Sequence, residues 1–264
     1  MREYLIQVSF GGGEILRIPS FGVFVLSAVL LASVLTYSRL RKHGLSMMDF
    51  SALWGFCVGF GFLGAILFGL LFSRMDFSTS RNVFLGELTL AVQGGVFVGT
   101  LAAMWMLRSL GRPVLKTLDL CVPPVFLGLA IGRFGCLFGG CCYGAPTGLP
   151  WGLVYPVGHS SHALYGSQSL HPAPIYSAMI AGTIAALALI VRRRRDGFVV
   201  TWSLVLYLLG RVALETVRGD HGQIGSGLSL QQLFSLVAIP LLLLWYYRLA
   251  PSSAEARARR QGAP

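Results

Sequence analysis

The sequence is poor in charge. Of its 264 residues only 12% are Asp, Glu, Lys or Arg, whereas soluble domains carry roughly 25%. Cysteine is also scarce, at five residues, which excludes a small domain held together by disulfides. Hydrophobic residues make up 55% of the chain and the mean hydropathy is +0.69, which excludes a disordered protein. Together these observations predict an integral membrane protein.

Long apolar runs divide the chain into candidate membrane spans. A hydrocarbon core needs about 20 mostly apolar residues per helix. Seven segments approach this length, near residues 19–38, 50–72, 84–107, 119–139, 173–191, 197–214 and 229–248. No A-x-A cleavage site follows the first segment, so we expect it to be retained. The sequence predicts an all-α integral membrane protein, with one domain of about seven transmembrane helices over residues 1–250 and a polar tail over 251–264.

The basic residues are distributed unequally between alternate connections. Fourteen Lys or Arg lie in one set, near residues 39–42, 108–116, 192–195 and 248–260, and five lie in the other set. Cytoplasmic connections carry the excess of positive charge. We therefore expect the N-terminus outside and the tail in the cytoplasm. The same clustering beside apolar runs explains the net charge of +11 without nucleic-acid binding.

The longest connection, residues 140–172, contains no Lys, Arg, Asp or Glu. It lies between the fourth and fifth predicted helices, and the charge distribution places it on the outer side. Glycine, proline, histidine and aromatic residues such as Trp151 and Tyr155 are frequent in it. Because aromatic side chains prefer the interfacial layer, this segment is predicted to be an outward loop partly embedded among lipid headgroups.

Ionisable residues inside apolar spans point to function, because burying them is costly. Arg133 lies near the outer end of the fourth span. Four polar residues of the sixth span share one helical face, at spacings of four, four and three: Tyr207, Arg211, Glu215 and Arg218. A self-contained ladder of ion pairs is one interpretation. Three arginines for one carboxylate favour a bound anion, most simply a lipid phosphate held by guanidinium groups.

An ordered set of short motifs covers residues 119–235. The set comprises Gly132-Arg133-x-Gly135, Leu149-Pro150-Trp151-Gly152, Tyr155-Pro156, His171-Pro172 with Tyr176, and Tyr207-x3-Arg211-x3-Glu215-x2-Arg218. In this order and spacing the chain resembles the prolipoprotein diacylglyceryl transferase family. The resemblance implies a seven-helix enzyme of the bacterial cytoplasmic (inner) membrane, with its cavity towards the outer leaflet and no cofactor.

The resemblance also implies a reaction and the residues for it. A diacylglyceryl group moves from phosphatidylglycerol to the lipobox cysteine of a preprolipoprotein, forming a thioether and releasing glycerol phosphate. Carried over by position, Arg133, Arg211, Tyr207 and Gln93 are the expected catalytic residues. The expected phospholipid-binding residues are Gly132, Arg133, Gly144, Arg211, Glu215 and Arg218. Arginines neutralise the phosphate and make it a better leaving group, while Glu215 would orient a guanidinium.

Several positions depart from the family pattern. The third span has Gln93 where the family usually has histidine, and glutamine cannot act as a base near neutral pH. The usual asparagines and glutamate after the glycyl-arginine pair are replaced by Cys136, Gly139 and Cys141. The anion-binding residues are therefore present, whereas the groups expected to take the thiol proton are absent.

These replacements create a cysteine cluster, Cys136-x4-Cys141-Cys142. Four interpretations are open. The cluster packs hydrophobically, forms a redox-active pair or disulfide, holds a thiolate nucleophile activated by Arg133, or binds a metal with His159, His162 or His171. The spacing is not a usual zinc spacing, so no metal site is predicted.

We expect Cys136 and Cys141 to be catalytic, in place of the missing base. The main prediction is a phospholipid-dependent transferase with the lipobox cysteine as acceptor. The alternatives are a transferase with a different acceptor and a non-catalytic lipid-binding or thiol-redox membrane protein.

Overall fold

The computed structural model describes residues 4–9, 15–73, 83–191, 195–218 and 229–249. Side chains are described for residues 19–70, 94–191, 195–218, 229 and 231–248. The strands and helices are β1 (Tyr4–Ser9), β2 (Ile15–Pro19), α1 (Ser20–Arg41), α2 (Met47–Ser73), α3 (Val83–Ser109), α4 (Val114–Phe138), α5 (Ser160–Tyr165), α6 (Ala173–Ile190), α7 (Phe198–Glu215) and α8 (Leu230–Leu249).

The long helices coincide with the predicted apolar segments, and the prediction of a helical membrane protein is confirmed. Within the described residues, five helices are long and apolar enough to cross a membrane: α1, α2, α4, α6 and α7. Helices are the expected form of such segments, because a helix satisfies its own backbone hydrogen bonds where lipid offers no partner.

The prediction of an all-α fold is wrong in one detail, an antiparallel hairpin near the start of the chain. In β1 and β2, Val8 pairs with Leu16 and Ile6 pairs with Ile18. The sequence signal for this hairpin is a triglycine run at residues 11–13 between two short stretches of mixed polarity. A search for apolar segments of about 20 residues does not detect strands of six and five residues.

The chain divides into two compact units, and the smaller unit is Tyr37–Leu120. Its helices α2 and α3 pack closely, since a Cβ at Gly95 would lie 2.8 Å from the carbonyl oxygen of Gly61. Small residues let membrane helices approach in this way. Arg112 and Asp49 form a partly exposed ion pair in the same unit, with 3.8 Å between Nη2 and Oδ2.

The second unit comprises Met1–Thr36 and Cys121–Pro264. It contains most of α4, the most buried of the five candidate membrane spans. On one side α4 packs against α1, because a Cβ at Gly128 would lie 2.9 Å from the Cβ of Ala32. On the other side it packs against α6 and α7 in a core of Val122, Phe126, Ala130, Ala181, Ile184, Ala185 and Val199. This packing brings the end of α4 beside α7.

The connection from α4 to α6 is a packed element rather than a plain surface loop. Its core consists of Tyr143, Tyr155 and Leu170, each almost fully buried. It also contains the short helix α5, which the sequence analysis does not predict. An isolated backbone bridge pairs Gly144 with Arg218, so the segment that follows α4 is tied to the end of α7.

Candidate functional site

The site begins where α4 ends. Arg133 and Cys136 lie in its last turns, and the helix closes with two characteristic backbone hydrogen bonds. The N–H of Gly140 donates to Leu137 at 3.3 Å, and the N–H of Cys141 donates to Cys136 at 3.1 Å. With Gly140 left-handed at φ 66°, this is a Schellman cap. The cap reverses the chain and returns Cys141 to Cys136.

Cys142 completes the thiol cluster through an unusual backbone conformation. Its φ is 57°, in the left-handed region that residues other than glycine rarely adopt. Strain of this kind is found most often at functional sites. The Sγ atoms of Cys136, Cys141 and Cys142 all lie within 4.8 Å of one another, and the three residues are half-buried. A segment with x4 spacing thus forms a compact group of three thiols.

Helix α7 contributes the buried charges. Arg211 and Glu215 are one helical turn apart and pair at 3.5 Å between Nη2 and Oε2. Their side chains are only 6% and 2% exposed, so the carboxylate is held in place and fixes the guanidinium. Tyr207 lies one turn earlier, with its ring packed edge-on against Phe126 of α4. The predicted same-face arrangement is present for Arg211 and Glu215. It is wrong for Arg218, because α7 ends at Glu215 and Arg218 lies beyond it in a backbone bridge.

Arg133 connects the thiols to these α7 residues. Its guanidinium interacts electrostatically with Tyr207 and with the thiols of Cys136 and Cys142, and Arg133 and Cys142 line the same cleft. Its Nε is buried and has no hydrogen-bond partner among the described residues. A buried guanidinium with a spare donor is ready to bind an acceptor such as a phosphate oxygen.

These groups line one narrow cleft. It is bounded by Arg133, Cys142, Ala173, Pro174, Ser177, Arg211, Leu214 and Arg218. Its volume of about 10 Å³ is close to the space that one water molecule needs. Its lining includes three arginines and no Asp or Glu among the described residues, so the cleft favours an anion.

The protonation of the loop thiols is uneven. The pKa of Cys142 is lowered by hydrogen bonds from the thiols of Cys136 and Cys141, and Arg218 and Arg133 lower it further. The pKa of Cys141 is raised by its hydrogen bonds with the same two thiols and by burial. The two arginines therefore favour the thiolate form of Cys142.

Gly144 and Gly132 have packing roles in this arrangement. The N–H of Gly144 donates to His171 at 2.9 Å, and a Cβ there would lie 2.6 Å from the carbonyl oxygen of Val217. Gly144 therefore allows the cysteine segment to approach the end of α7. A Cβ at Gly132 would lie 4.0 Å from that of Ala28, on the side of α4 that faces α1.

The histidines of the loop do not join the thiols. Both ring nitrogens of His159 face carbonyl oxygens, at 3.2 Å from Pro156 and 3.1 Å from Phe138. The Nδ1 of His162 lies 2.8 Å from the carbonyl oxygen of Tyr155. In the described part of the chain, the group of close metal-binding side chains at this site consists of the three cysteines alone. A metal site completed by one of these histidines is therefore not what forms.

Other predicted residues are placed differently. His171, Tyr176 and Trp151 form a hydrogen-bonded chain, with Nε1 of Trp151 donating to the Tyr176 hydroxyl at 2.8 Å. The hydroxyl lies 3.4 Å from Nδ1 of His171. Gln93 belongs to α3, in the other compact unit, and its side chain lies outside the described residues. Its catalytic role stays a prediction.

Sequence spacing alone does not indicate Cys142 or Ser177 as site residues, although both line the cleft. The pair Gly139-Gly140 is the signal for Cys142, because glycine at the end of a helix indicates a left-handed cap that turns the next residues back. Ser177 has no comparable signal. It is brought to the cleft by the packing of α6, which sequence spacing does not reveal.

An apolar helical protein with arginines from two spans around a cationic cleft is an integral membrane protein suited to phospholipid chemistry. The family model described as prolipoprotein diacylglyceryl transferase matches residues 8–248. The chain belongs to this family of transferases, and the resemblance drawn from the motifs is confirmed.

Several relatives share most of their length with this chain. Each is named phosphatidylglycerol–prolipoprotein diacylglyceryl transferase. The protein from Clostridium tetani is 31% identical over 231 residues, covering 85% of this chain and 90% of its own. The protein from Synechococcus elongatus is 30% identical over 251 residues, covering 90% and 86%. That from Thermotoga maritima is 28% identical over 265 residues, covering 98% and 88%.

Proposed function

We propose that this chain transfers a diacylglyceryl group from phosphatidylglycerol to the lipobox cysteine of a preprolipoprotein, at the outer leaflet of the bacterial inner membrane. The names of the relatives supply the donor and the acceptor. The observation that carries the proposal is the convergence of Arg133, Arg211 and Arg218 on one cleft. A phospholipid has one phosphate diester, and the three arginines supply the positive charge to bind one of its oxygens at this cleft.

The arginines act on the leaving group. The acceptor sulfur attacks the glycerol carbon that bears the phosphate, so a C–S bond forms while the C–O bond to phosphate breaks. Glycerol phosphate leaves with the electron pair of that bond, and the acceptor thiol loses its proton. Arg133 and Arg211 neutralise the charge that grows on the phosphate, which is the largest catalytic contribution that such a site offers.

Positioning residues support these arginines. Glu215 holds Arg211 by their buried ion pair, so this guanidinium is oriented before the donor binds, and Tyr207 lies near enough to Arg133 to interact with it electrostatically. Such preorganisation avoids the cost of reorganisation during the reaction. Arg218, tied to Gly144 by the backbone bridge, provides the third positive charge. Gln93 is proposed to orient the acceptor.

We propose that seven helices cross the membrane, with the N-terminus outside and residues 251–264 in the cytoplasm. Fourteen basic residues on one side against five on the other support this orientation. Reporter fusions near residues 45, 112, 194 and 255 should report the cytoplasm, and fusions near 78, 160 and 222 the outside. The opposite pattern would place the loop 140–172 in the cytoplasm and contradict the proposed site.

The outward loop is proposed to rest on the lipid surface. Several of its apolar side chains are exposed although its tyrosine core is buried, namely Leu149, Trp151, Val154, Val157 and Leu164. Aromatic and aliphatic side chains of this kind are favourable in the interfacial layer. A loop seated there holds the cleft at the depth of the phospholipid headgroups.

Complementation tests the proposed function. A bacterial host depleted of its own diacylglyceryl transferase should recover lipidated lipoprotein when it expresses this chain. A chain with Arg133→Ala and Arg211→Ala should fail at equal expression. If the unsubstituted chain reaches the membrane and still produces no lipidated product, the lipoprotein reaction is wrong. The protein would then be a transferase with another acceptor or a lipid-binding protein without this activity.

A further inference from the structure

We propose that Cys136, Cys141 and Cys142 bind one zinc ion as thiolates, and that its fourth position takes the thiol of the acceptor cysteine. This inference rests on the proposed transferase function for the identity of the acceptor. It assigns to the cysteine cluster the activation of the sulfur nucleophile, which the arginines cannot perform.

The geometry of the thiols suits a tetrahedral ion. Zinc binds cysteine sulfur at about 2.3 Å, so two thiolates at a tetrahedral angle lie about 3.8 Å apart. The three Sγ atoms already lie within 4.8 Å of one another. Small side-chain rotations close the difference. Hydrophobic packing alone does not require three polarisable groups to converge on one point.

The backbone holds this convergence in place. The Schellman cap, with its hydrogen bond of 3.1 Å from Cys141 to Cys136, brings two of the ligands together. The left-handed φ of 57° at Cys142 turns the third ligand towards them, at a conformational cost that a bound ion would offset. If α4 continued as a helix past Phe138, an x4 spacing would not predict a shared zinc ion. Because the helix ends at Phe138 and the cap follows, the same spacing brings the thiols together.

Charge compensation is present as well. Three thiolates and a divalent zinc ion carry a net charge of −1, which is unfavourable at a half-buried site without a partner. Arg133 lies near Cys136 and Cys142, and Arg218 lies near Cys142. The cations that bind the donor phosphate therefore also stabilise the charged cluster.

The fourth position is free of protein ligands in the described part of the chain. No histidine or carboxylate there lies close enough to all three sulfurs to complete the group, and both nitrogens of His159 face carbonyl oxygens. Three protein ligands with one open position are the arrangement of catalytic zinc, whereas structural zinc has four.

An open zinc site supplies the missing proton chemistry. When a thiol coordinates zinc it is deprotonated, and its proton passes to water. The bound sulfur attacks the glycerol carbon, the C–S bond forms, and the C–O bond breaks with its electron pair leaving on glycerol phosphate. The product thioether is neutral and binds zinc weakly, so the ion returns to its three-cysteine state. No oxidant or reductant takes part, and Gln93 needs no basicity.

Metal content tests the site without reference to activity. The full chain, purified in detergent under reducing conditions, should contain about one zinc per chain by elemental analysis. Cys136→Ser, Cys141→Ser and Cys142→Ser should each lower that content at least several-fold. Cys57→Ser and Cys121→Ser are the matched controls, and both should retain it. Absence of zinc after reconstitution of the reduced, folded chain, or equal zinc in all five variants, would overturn the proposal.

Cobalt substitution tests the open position. The cobalt form should show a sulfur-to-cobalt charge-transfer band, and a lipobox peptide with cysteine should increase and shift it. The same peptide with serine should not. If the band does not change when the cysteine peptide is added, the acceptor step is wrong. If the protein isolated without reductant from the native membrane contains an intramolecular disulfide, the metal site is wrong. A third outcome is also informative: the protein contains zinc and the cobalt band responds to the cysteine peptide, but complementation yields no lipidated lipoprotein. That outcome would reject the proposed lipoprotein reaction and leave the metal site standing.

Discussion

Arg211→Ala is expected to reduce transfer of the diacylglyceryl group by about 100- to 1000-fold, the loss usually seen when one preorganised charge-stabilising donor is removed. Arg133→Ala should cause a loss of the same order, because its guanidinium lies in the same cleft. The measurement is the initial rate with phosphatidylglycerol vesicles and a lipobox peptide, using protein that elutes as a folded species in detergent.

Lysine variants and an arginine of the smaller unit provide the controls. Arg133→Lys should recover only part of the rate, because lysine keeps the charge but lacks the planar fork that binds two phosphate oxygens. Arg112→Ala removes a partly exposed arginine from the smaller unit and should leave the rate within about twofold. Equal rates for the Arg133→Ala, Arg211→Ala and Arg112→Ala variants would show that the cleft does not bind the donor.

Glu215→Ala is expected to destabilise the protein by about 3–5 kcal/mol, because it leaves the buried guanidinium of Arg211 without its partner. The pair is only 6% and 2% exposed, so the guanidinium would remain largely desolvated. The free energy of unfolding in mixed detergent micelles measures the effect. Asp49→Ala breaks the partly exposed pair with Arg112 and should cost no more than about 1 kcal/mol.

A double variant separates stability from catalysis at this pair. Replacing both charges by apolar residues, Arg211→Met with Glu215→Leu, should recover much of the stability that Glu215→Ala loses, since no buried charge is left unpaired. Its transfer rate should remain as low as that of Arg211→Ala. Recovery of activity together with stability would mean that the pair serves only to hold α7.

Hydropathy was sufficient to predict the helices, because a membrane span needs a long apolar segment and little else. The spacing of Tyr207, Arg211 and Glu215 was sufficient to place them on one face, since the helix period fixes that geometry. Both inferences use regular secondary structure, where position along the chain determines direction in space.

The thiol cluster could not be read from spacing in the same way. Extending α4 as a helix places Cys136 near Arg133 but says nothing of where Cys141 and Cys142 point. Their directions depend on two left-handed residues, Gly140 and Cys142, and one of these is not glycine. Likewise, the histidines of the loop appeared suitable as ligands by composition, but their neighbours engage the ring nitrogens. Such contacts depend on tertiary packing.

The backbone bridge between Gly144 and Arg218 makes binding of the donor structurally independent of activation of the acceptor. Backbone atoms, not side chains, set the distance between the capped end of α4 and the cationic end of α7. Side chains in the cap can therefore differ in chemistry without moving the arginines that we propose bind the phosphate. The same scaffold can in this way bind the same phospholipid donor while a thiolate-bound ion replaces the proton-accepting side chain. The groups that activate the acceptor can therefore change independently of the groups that bind the donor.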